Sequence, residues 1–445
     1  MSLDIVNLLM QLGPSSSDDM AKNLAVSQPT VSRLISANSR RIIRAGGSKN
    51  TIYGASRKIR QLQGAEVPVF SINEAGAGTL VGKLASIYPE GFLWLGSSPN
   101  WPLDESPKLY FHSLPYFIHD VRPQGFMGRN FARMNSSVLG VPDNPEHWTD
   151  DDIVVAMSIM GDDLAGNLIL GEASYRRFID ETIDVIDASA INETYLDLAH
   201  RAISTGIAGS SAAGEFPKFT AVRIRDDLAQ HVIVKFSGSG NSPAERRWSD
   251  LLRCEAHAAR IIRDNLGIAS ADAMSFSHGG RTFMESVRFD RVGLRGRLPM
   301  CSLSSLDAEL VGMGDPPWDK FADKLLSLRI IDANSASAMR RAWFFGKLIA
   351  NTDMHAGNLS FRLASSGKLE LCPIYDMLPM RYAPLRGGEV PEHIVENPYI
   401  PLPGNEDDFS IANSAATEFW SMVSDDDEIS ENFRGTAAEH ANRLK

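Results

Sequence analysis

Residues 351 to 361, NTDMHAGNLSF, place two carboxamides, a carboxylate and an imidazole between an apolar helix-like stretch and an apolar strand-like one. Apolar flanks indicate that the segment is held against a core, where polar groups must be hydrogen-bonded or used. Two interpretations are open. Asn351 and Asp353 would cap a helix end and turn the chain, or the loop would face a cleft and handle phosphate or metal.

Spacing within this segment favours the second interpretation. A helix predicted over residues 335–353 would deliver Asp353 at its C-terminal end, and Asn358 follows five positions later, as in the catalytic loop of protein kinases. There the aspartate accepts the proton of the attacking hydroxyl and the asparagine holds magnesium. We expect these roles for Asp353 and Asn358. His355 would either orient the loop by hydrogen bonding or act as a general base.

A second carboxylate follows a predicted strand, turn and strand. The stretch LSFRLASSGKLELCPIYDMLP brings in Asp376, 23 positions after Asp353. A hairpin returns its end beside its start, so we expect Asp376 to lie near Asn358. Because Mg²⁺ accepts a few carboxylate and carbonyl oxygens together with substrate phosphates, Asn358 and Asp376 are its predicted ligands.

Two earlier segments contain residues that suit a nucleotide. The apolar strand HVIVKFSG carries Lys235, and a buried lysine needs a partner. Glu255, on the predicted helix DLLRCEAHAARIIRDNLGI, is the expected partner, since protein kinases hold the α- and β-phosphates with such a pair. A lysine that extends from an edge strand to solvent is the alternative.

A stretch of small residues precedes this strand. In IAGSSAAGEFPKFTAV, residues 207 to 222, glycines would let backbone N–H groups close on a phosphate while a lysine adds charge. The alternative for this stretch is an ordinary surface loop. The order in which all these elements follow one another along the chain favours phosphoryl transfer. The predicted nucleotide-binding residues of this stretch are Gly209, Ser210, Ser211, Gly214 and Lys218.

The first 63 residues have the composition of a nucleic-acid-binding module. They carry nine Lys and Arg against three Asp, a net charge of +6, whereas the whole chain of 445 residues has −11. Three helix-like stretches and two β-rich runs predict a winged helix-turn-helix; a protein-binding three-helix module is the alternative. Predicted base contacts are Gln28, Thr30, Ser32, Arg33 and Asn38; predicted phosphate contacts are Arg40, Arg41, Lys49 and Arg57.

Cysteine usage and hydropathy indicate the cellular compartment. The three cysteines, Cys254, Cys301 and Cys372, form no CxxC pair, which argues against a disulfide framework and fits a reducing cytosol. No signal peptide is recognisable, and no apolar run reaches the roughly 18 residues of a membrane span. We expect a cytoplasmic protein with no membrane partner. The acidic stretch SDDDE, residues 424–428, is expected to be a solvated cap.

Several of these segments together resemble a known family. NTDMHAGNLSF, IYDMLP, SVRFDR, VIVKF and GSSAAGEFPK are similar to the HipA-like serine/threonine kinase toxins of bacterial toxin–antitoxin systems, over roughly residues 75 to 400. The resemblance implies an α+β fold, with a two-lobed protein-kinase-like body similar to phosphoinositide kinases behind a winged helix-turn-helix. The implied domains are 1–63 (winged helix-turn-helix), 64–200 (α+β subdomain), 201–295 (kinase N-lobe) and 296–445 (helical C-lobe).

The resemblance also implies ATP- and Mg²⁺-dependent phosphorylation of serine or threonine in a protein substrate. Asp353 would be the base and Lys235 the phosphate-contacting lysine, with the loop at 209–218 as a phosphate cover. In the family a serine in or beside that loop can be autophosphorylated, and Ser210 and Ser211 are the candidates.

Departures from the family bear on partners and regulation. Family toxins usually pair with a separate helix-turn-helix antitoxin, whereas here a DNA-binding head is fused in front and would bind the chain's own operator. The D-F-G and A-P-E signatures are absent, because Met-Leu-Pro follows Asp376. Winged-helix heads often dimerise, so a homodimer is an expectation. A transcription regulator with a nucleotide-sensing or inactive kinase-like body is the alternative function.

Overall fold

The computed structural model describes residues 4–47, 50–96, 108–204, 216–364, 367–385, 387–391, 401 and 403–445. Its architecture mixes helices with antiparallel sheets, and the elements form four groups along the chain. Five residues with predicted functions lie outside the described ranges: Lys49, Gly209, Ser210, Ser211 and Gly214.

The first group is a head of three helices and a hairpin, in the order predicted for a winged helix-turn-helix. Asp4 and Ser16 accept hydrogen bonds from backbone N–H groups and so begin the first two helices. Val31 of the third helix is buried with Leu9 and Met20 in a small core. The elements are α1 (Ile5–Leu12), α2 (Ser17–Leu24), α3 (Gln28–Ala37), β1 (Ile42–Ala45) and β2 (Ile52–Ala55).

The second group is an antiparallel sheet with helices. The strands are β3 (Glu66–Ile72), β4 (Gly78–Ser86), β5 (Phe92–Gly96), β6 (Tyr110–Phe111) and β7 (Leu168–Leu170), in the spatial order β6-β5-β4-β3-β7. The helices are α4 (Tyr116–His119), α5 (Gly125–Leu139), α6 (Asp150–Met160) and α7 (Glu172–Asp180). A capping box between Thr149 and Asp152 begins α6, which is buried along most of its length.

The head is docked on this sheet. Ser56 pairs with Ile87 in an isolated bridge, which continues the wing hairpin toward β4. One apolar cluster spans both units; its buried members are Ile43, Ala45, Ala85, Ile87 and Leu93. Because backbone pairing and core packing cross the boundary, the head and the sheet form one packed unit.

Two ion pairs reinforce the docking and correct one prediction. The guanidinium of Arg57 binds both carboxylate oxygens of Asp151, one of them at 2.9 Å, and Arg60 pairs with the buried Asp152. The Asp151 carboxylate raises the pKa of Arg57 although burial opposes it. The prediction that Arg57 contacts DNA phosphate was wrong, because its charge is used against the body of the protein.

The third group contains a five-stranded sheet and one long helix. Its elements are β8 (Val185–Ile186), α8 (Ile191–Ser204), β9 (Lys218–Arg225), β10 (Leu228–Phe236), α9 (Pro243–Asp264), β11 (Ala273–His278) and β12 (Arg281–Val287). The spatial order is β11-β12-β10-β9-β8, antiparallel except between β8 and β9. Side chains alternate across β10, so Val234 and Phe236 enter an aromatic core with Tyr195 while Lys235 projects from the other face.

The fourth group is mostly helical and holds the C-terminal core. Its elements are β13 (Arg291–Val292), β14 (Gly296–Arg297), β15 (Cys301–Ser302), α10 (Leu303–Leu306), a π-helical turn (Asp307–Val311), α11 (Trp318–Ser327), α12 (Ala333–Leu348), β16 (Ser360–Leu363), β17 (Leu369–Leu371), α13 (Glu406–Asp425) and α14 (Glu431–Leu444). Helix α12 packs against α11 and α13. The predicted hairpin is present as β16 and β17.

The acidic stretch 424–428 was predicted to be a solvated cap, but two of its side chains form ion pairs with another helix. Asp426 contacts His257 and Glu428 contacts Arg253, both on α9. Among the helices in the described ranges, none combines the length and apolarity that a membrane crossing requires.

Candidate active site

Lys235 and Glu255 form the ion pair predicted from the sequence. Nζ of Lys235 lies 2.7 and 2.8 Å from the two carboxylate oxygens of Glu255, and both residues are buried. The alternative of a lysine that reaches solvent therefore does not describe Lys235. The alternation of β10 directs the ammonium toward α9, where Glu255 lies near the middle of the helix.

The same ammonium contacts a third segment. Nζ of Lys235 lies 2.5 Å from Oδ1 of Asp376, which follows the β16–β17 hairpin. The backbone of Asp376 has φ of 58°, a left-handed conformation that is uncommon outside glycine and clusters at functional sites. One lysine thus joins the five-stranded sheet, α9 and the segment after the hairpin.

The pKa values of these three groups shift in different directions. Burial raises the pKa of Glu255 to about 7, even though Lys235 opposes the rise. Burial would also raise the pKa of Asp376, but Lys235 and Lys218 outweigh it, so that pKa lies below its ordinary value. Burial would lower the pKa of Lys235, yet the two carboxylates raise it. Asp376 is therefore ionised at neutral pH, and Glu255 is poised to take up a proton.

Asp353 lies in a loop and not at the helix end that was predicted, because α12 stops at Leu348. Oδ1 of the buried Asn351 accepts a hydrogen bond of 3.0 Å from the backbone N–H of Asp353. Asn351 thus turns the chain, as the first interpretation of this segment predicted. The side chain of Asp353 is 56% exposed, which suits a group that must reach a hydroxyl on another molecule.

His355 and Asn358 order the rest of the loop. Nδ1 of His355 accepts a hydrogen bond of 3.0 Å from the backbone N–H of Gly357 and begins a 3₁₀ turn over Ala356–Asn358. Nε2 of His355 lies 4.0 Å from Oδ1 of Asp353. The side-chain amide of Asn358 donates to the carbonyl of Asp353 at 2.8 Å, so its oxygen is the end suited to a cation.

Tyr375 connects this loop to Asp376, and the sequence had not singled it out. Its hydroxyl donates to the carbonyl of Gly357 at 3.0 Å and lies 3.0 Å from the hydroxyl of Ser360. Gly357 and Tyr375 directly precede Asn358 and Asp376, so the bond places the two predicted metal ligands in adjacent segments. An ionised carboxylate and an amide oxygen in adjacent segments fit Mg²⁺.

A cavity of about 350 Å³ opens beside these groups. Its wall includes the charged residues Lys218, Lys235, Glu255 and Asp376, and Lys218 is directly opposite Lys235 in the pairing of β9 with β10. Asp353, His355 and Asn358 are not part of its wall. The apolar residues of its wall include Ile233, Ala271, Met284, Phe289 and Met300.

Sequence reasoning missed other residues around this cavity. Phe216 places its ring 5.8 Å from Nζ of Lys235, close enough for a cation–π contact. Gln124 and Met127, at the start of α5, form part of the wall. A lone phenylalanine or methionine carries no sequence signal for such a position.

A network of arginines and aspartates links the middle group to the cavity. Asp163 accepts from Arg288 at 2.9 Å and from Arg291 at 2.8 Å, and both arginines also bind Asp290. Burial opposes ionisation of Asp290, but the two arginines lower its pKa to about 2. These arginines belong to SVRFDR, and Asp163, Arg288 and Asp290 line the cavity.

The predicted DNA contacts lie on the head and do not line the cavity. Gln28, Ser32 and Arg33 are exposed on α3, and Arg40 and Arg41 are exposed after it. The hydroxyl of Thr30 is 3.0 Å from that of Ser27, and the amide of Asn38 donates to the carbonyl of Leu34. The exposed set therefore forms the basic surface of the third helix and the turn that follows.

Comparison with known proteins agrees with this arrangement. Residues 210–437, just over half of the chain, match the family model described as the HipA-like C-terminal domain. The chain belongs to the HipA-like family. Residues 63–179 match the model described as the YjjJ-like toxin, middle domain. Toxin YjjJ of Escherichia coli strain K12 is 33% identical over 450 residues, which cover 99% of this chain and 97% of that protein.

Two solved structures are similar to this HipA-like chain at low sequence identity. One is HipA of Shewanella oneidensis MR-1 in complex with HipB and operator DNA, with a TM-score of 0.48, 15% identity and coverage of 82% of this chain and 94% of that one. The other is the Helicobacter pylori proinflammatory kinase CtkA, with a TM-score of 0.36, 14% identity and coverage of 52% and 91%. The family match confirms the α+β, kinase-like class of the fold.

Proposed function

We propose that this HipA-like protein is an ATP-dependent serine/threonine protein kinase that acts as the toxin of a toxin–antitoxin system. The observation that carries the proposal is the ammonium of Lys235, which contacts both Glu255 and Asp376 in the wall of the cavity. Protein kinases hold ATP phosphates with such a lysine–glutamate pair and bind magnesium with an aspartate. The full-length similarity to Toxin YjjJ supports the biological role.

In the proposed reaction the protein positions two substrates and stabilises charge, without a covalent intermediate. Lys235 and Lys218 bind the phosphates of ATP, and the apolar residues of the cavity contact its adenine ring. Asp353 accepts the proton of the substrate hydroxyl as the hydroxyl oxygen attacks the γ-phosphorus. The bond between that phosphorus and the β–γ bridging oxygen breaks, and ADP leaves. Asn358 and Asp376 would hold Mg²⁺, which neutralises phosphate charge when bound.

The head is proposed to bind operator DNA and so to regulate expression of the chain. Its net positive charge and the exposed Arg33, Arg40 and Arg41 support contact with phosphates. A separate helix-turn-helix antitoxin and a second copy of the chain are further proposed partners. If the kinase-like body only senses nucleotide, ATP will change DNA affinity without any transfer of phosphate.

The test combines phosphate transfer with growth. Purified wild type is incubated with ATP labelled on the γ-phosphate and a cell lysate, beside Asp353→Asn, Asp376→Ala and the control Asp427→Asn, which changes an exposed aspartate. We expect protein labelling and growth arrest for wild type and Asp427→Asn, and at least about 100-fold less labelling for the other two. Undiminished labelling by both active-site variants would refute the assignment.

A further inference from the structure

Helix α9 has a second polar face, directed away from the cavity. Asp250, Arg253 and His257 recur at intervals of three and four residues, so they fall on one side of the helix. At 100° per residue, Glu255 lies on the opposite side, where it meets Lys235. The helix therefore carries the phosphate-contacting pair on one face and a row of charged groups on the other.

The charged row is bound by the 425–430 turn, which comprises Asp425 at the end of α13 and the five residues that lead to α14. Asp250 is buried and accepts hydrogen bonds from the backbone N–H and the hydroxyl of Ser430, at 2.9 and 2.6 Å. Nε2 of His257 lies 2.7 Å from Oδ2 of Asp426. Burial opposes ionisation of Asp426, but the hydrogen bond from His257 helps to hold its pKa below the ordinary value.

Two arginines of α9 extend the same attachment. Arg253 is buried and pairs with Glu428 of the turn. Arg247 donates to the carbonyl oxygens of Tyr382 and Pro391, each at 3.2 Å. Its guanidinium carbon lies 4.4 Å from the ring centre of Phe433 in α14.

The attachment also reaches the helix that leads to the catalytic loop. Nε1 of Trp420 in α13 donates to the carbonyl of Leu348, the last residue of α12, at 3.1 Å. A movement of α9 that withdrew Glu255 from Lys235 would leave the charges of Asp250 and Arg253 buried without these partners, which is strongly unfavourable. The C-terminal helices thus oppose such a movement.

We propose that the 425–430 turn is a positioning device that keeps Glu255 on Lys235, with Asp426, Glu428 and Ser430 as positioning residues. The proposal rests on the proposed kinase function and specifies how its phosphate-contacting pair is kept in place. Helix α9 is then a fixed part of the catalytic framework and not a switch that swings out. Side chains of the turn, although remote from the cavity, then affect phosphate transfer through α9.

The test uses Cys254, the residue next to Glu255, as a reporter. Its thiol is fully buried on α9, and burial raises its pKa well above the ordinary value. The full-length double variant Asp426→Ala, Glu428→Ala is treated with a thiol reagent, and labelling is located by mass spectrometry. We expect Cys254 to be labelled about tenfold faster than in wild type or Asp427→Asn. The other buried thiols, Cys301 and Cys372, report general unfolding and should stay protected.

Kinetics provide the second measurement. The double variant should have a kcat about tenfold lower and a KM for ATP several-fold higher, whereas a purely structural role would leave both constants unchanged in the folded fraction. Unchanged protection of Cys254, or kinetics equal to those of Asp427→Asn, would overturn the proposal. If wild type transfers no phosphate while Cys254 is exposed in the double variant, the proposed function fails and the positioning role of the turn stands.

Discussion

Nζ of Lys235 lies 2.5 Å from Oδ1 of Asp376, so the ammonium that pairs with Glu255 also contacts this second carboxylate. Lys235 and Asp376 are both proposed to serve ATP, one on the phosphates and one on the metal. Lys235 would release Asp376 when a phosphate takes the place of the carboxylate, and the released carboxylate could then bind a cation. Nucleotide and metal should therefore bind interdependently.

Replacing Asp376 with asparagine should weaken the response to magnesium. Asparagine retains an oxygen that can accept from Lys235 but lacks the charge that attracts a divalent cation. We expect the apparent KM for Mg²⁺, from initial rates at fixed ATP, to rise at least about tenfold, with little change in melting temperature. Asp427→Asn should have the same apparent KM for Mg²⁺ as wild type. An unchanged apparent KM in Asp376→Asn would exclude Asp376 as a magnesium ligand.

Activity should rise with pH through the titration of Glu255. Its pKa is raised to about 7, so below that pH it becomes protonated and its ion pair with Lys235 weakens. Lys235 then keeps its ion pair with Asp376 but not the one with Glu255. We expect kcat/KM for ATP, which reports the free enzyme, to fall by about tenfold per pH unit below pH 7. In Glu255→Gln this limb should disappear; its persistence would assign the titration to another group.

Substitutions of His355 should separate its two predicted roles. His355→Ala removes the acceptor for the Gly357 N–H and should reduce kcat by about 10- to 100-fold, because the loop that holds Asp353 loses its order. His355→Asn can restore that acceptor and should recover most of the rate if the histidine only orients the loop. A general base would not be replaced by an amide, so failure of asparagine to rescue would favour that role.

Two arginines of the head should behave differently toward DNA. Arg33 is exposed on α3, and Arg33→Ala should weaken operator binding and reduce the slope of log K against log salt by about one. Arg57 is paired with Asp151, and Arg57→Ala should leave the slope unchanged while lowering the melting temperature. Equal salt slopes for both variants, measured by fluorescence anisotropy, would count against the assigned DNA surface.

Removing Asp163 should destabilise the protein. Arg288 and Arg291 are buried and would both lose a carboxylate partner. Because the Asp163 side chain is partly exposed, we expect a loss of about 2 kcal/mol in the free energy of unfolding of Asp163→Ala, below the range for fully buried pairs. Glu172→Ala, an exposed acid of the same region, should change it by less than about 0.5 kcal/mol. Urea denaturation measures both, and equal values would contradict the role of the network.

Local sequence patterns predicted those parts of the site that depend on spacing. Lys235 on a strand, Glu255 on a helix and Asp376 after a hairpin could be placed because alternation, helical period and hairpin closure are local rules. The pairing of Lys235 with Glu255 was predicted, whereas the contact of Asp376 with the same ammonium was not. Asp353 was predicted at the C-terminal end of α12 but lies in the loop that follows Leu348, because helix boundaries depend on packing as well as propensity.

Contacts between distant segments were beyond the sequence. Nothing local to Arg57 distinguishes a phosphate contact from an ion pair with Asp151, 94 positions later. The acidic stretch 424–428 has the composition of a solvated turn, and only the tertiary fold brings His257 to Asp426. The type of a charged residue does not identify its partner, since the same side chain can face solvent, bind nucleic acid or pair with another segment of the chain.

The link from Asp163 to Arg288 and Arg291 has a practical consequence for dissecting the protein. A fragment restricted to residues 210–437 would keep both arginines but lose the carboxylate between them. It would also lack Gln124 and Met127, which close one side of the cavity. Expression of that portion alone should give an insoluble or inactive product, so truncation experiments have to retain the segment upstream.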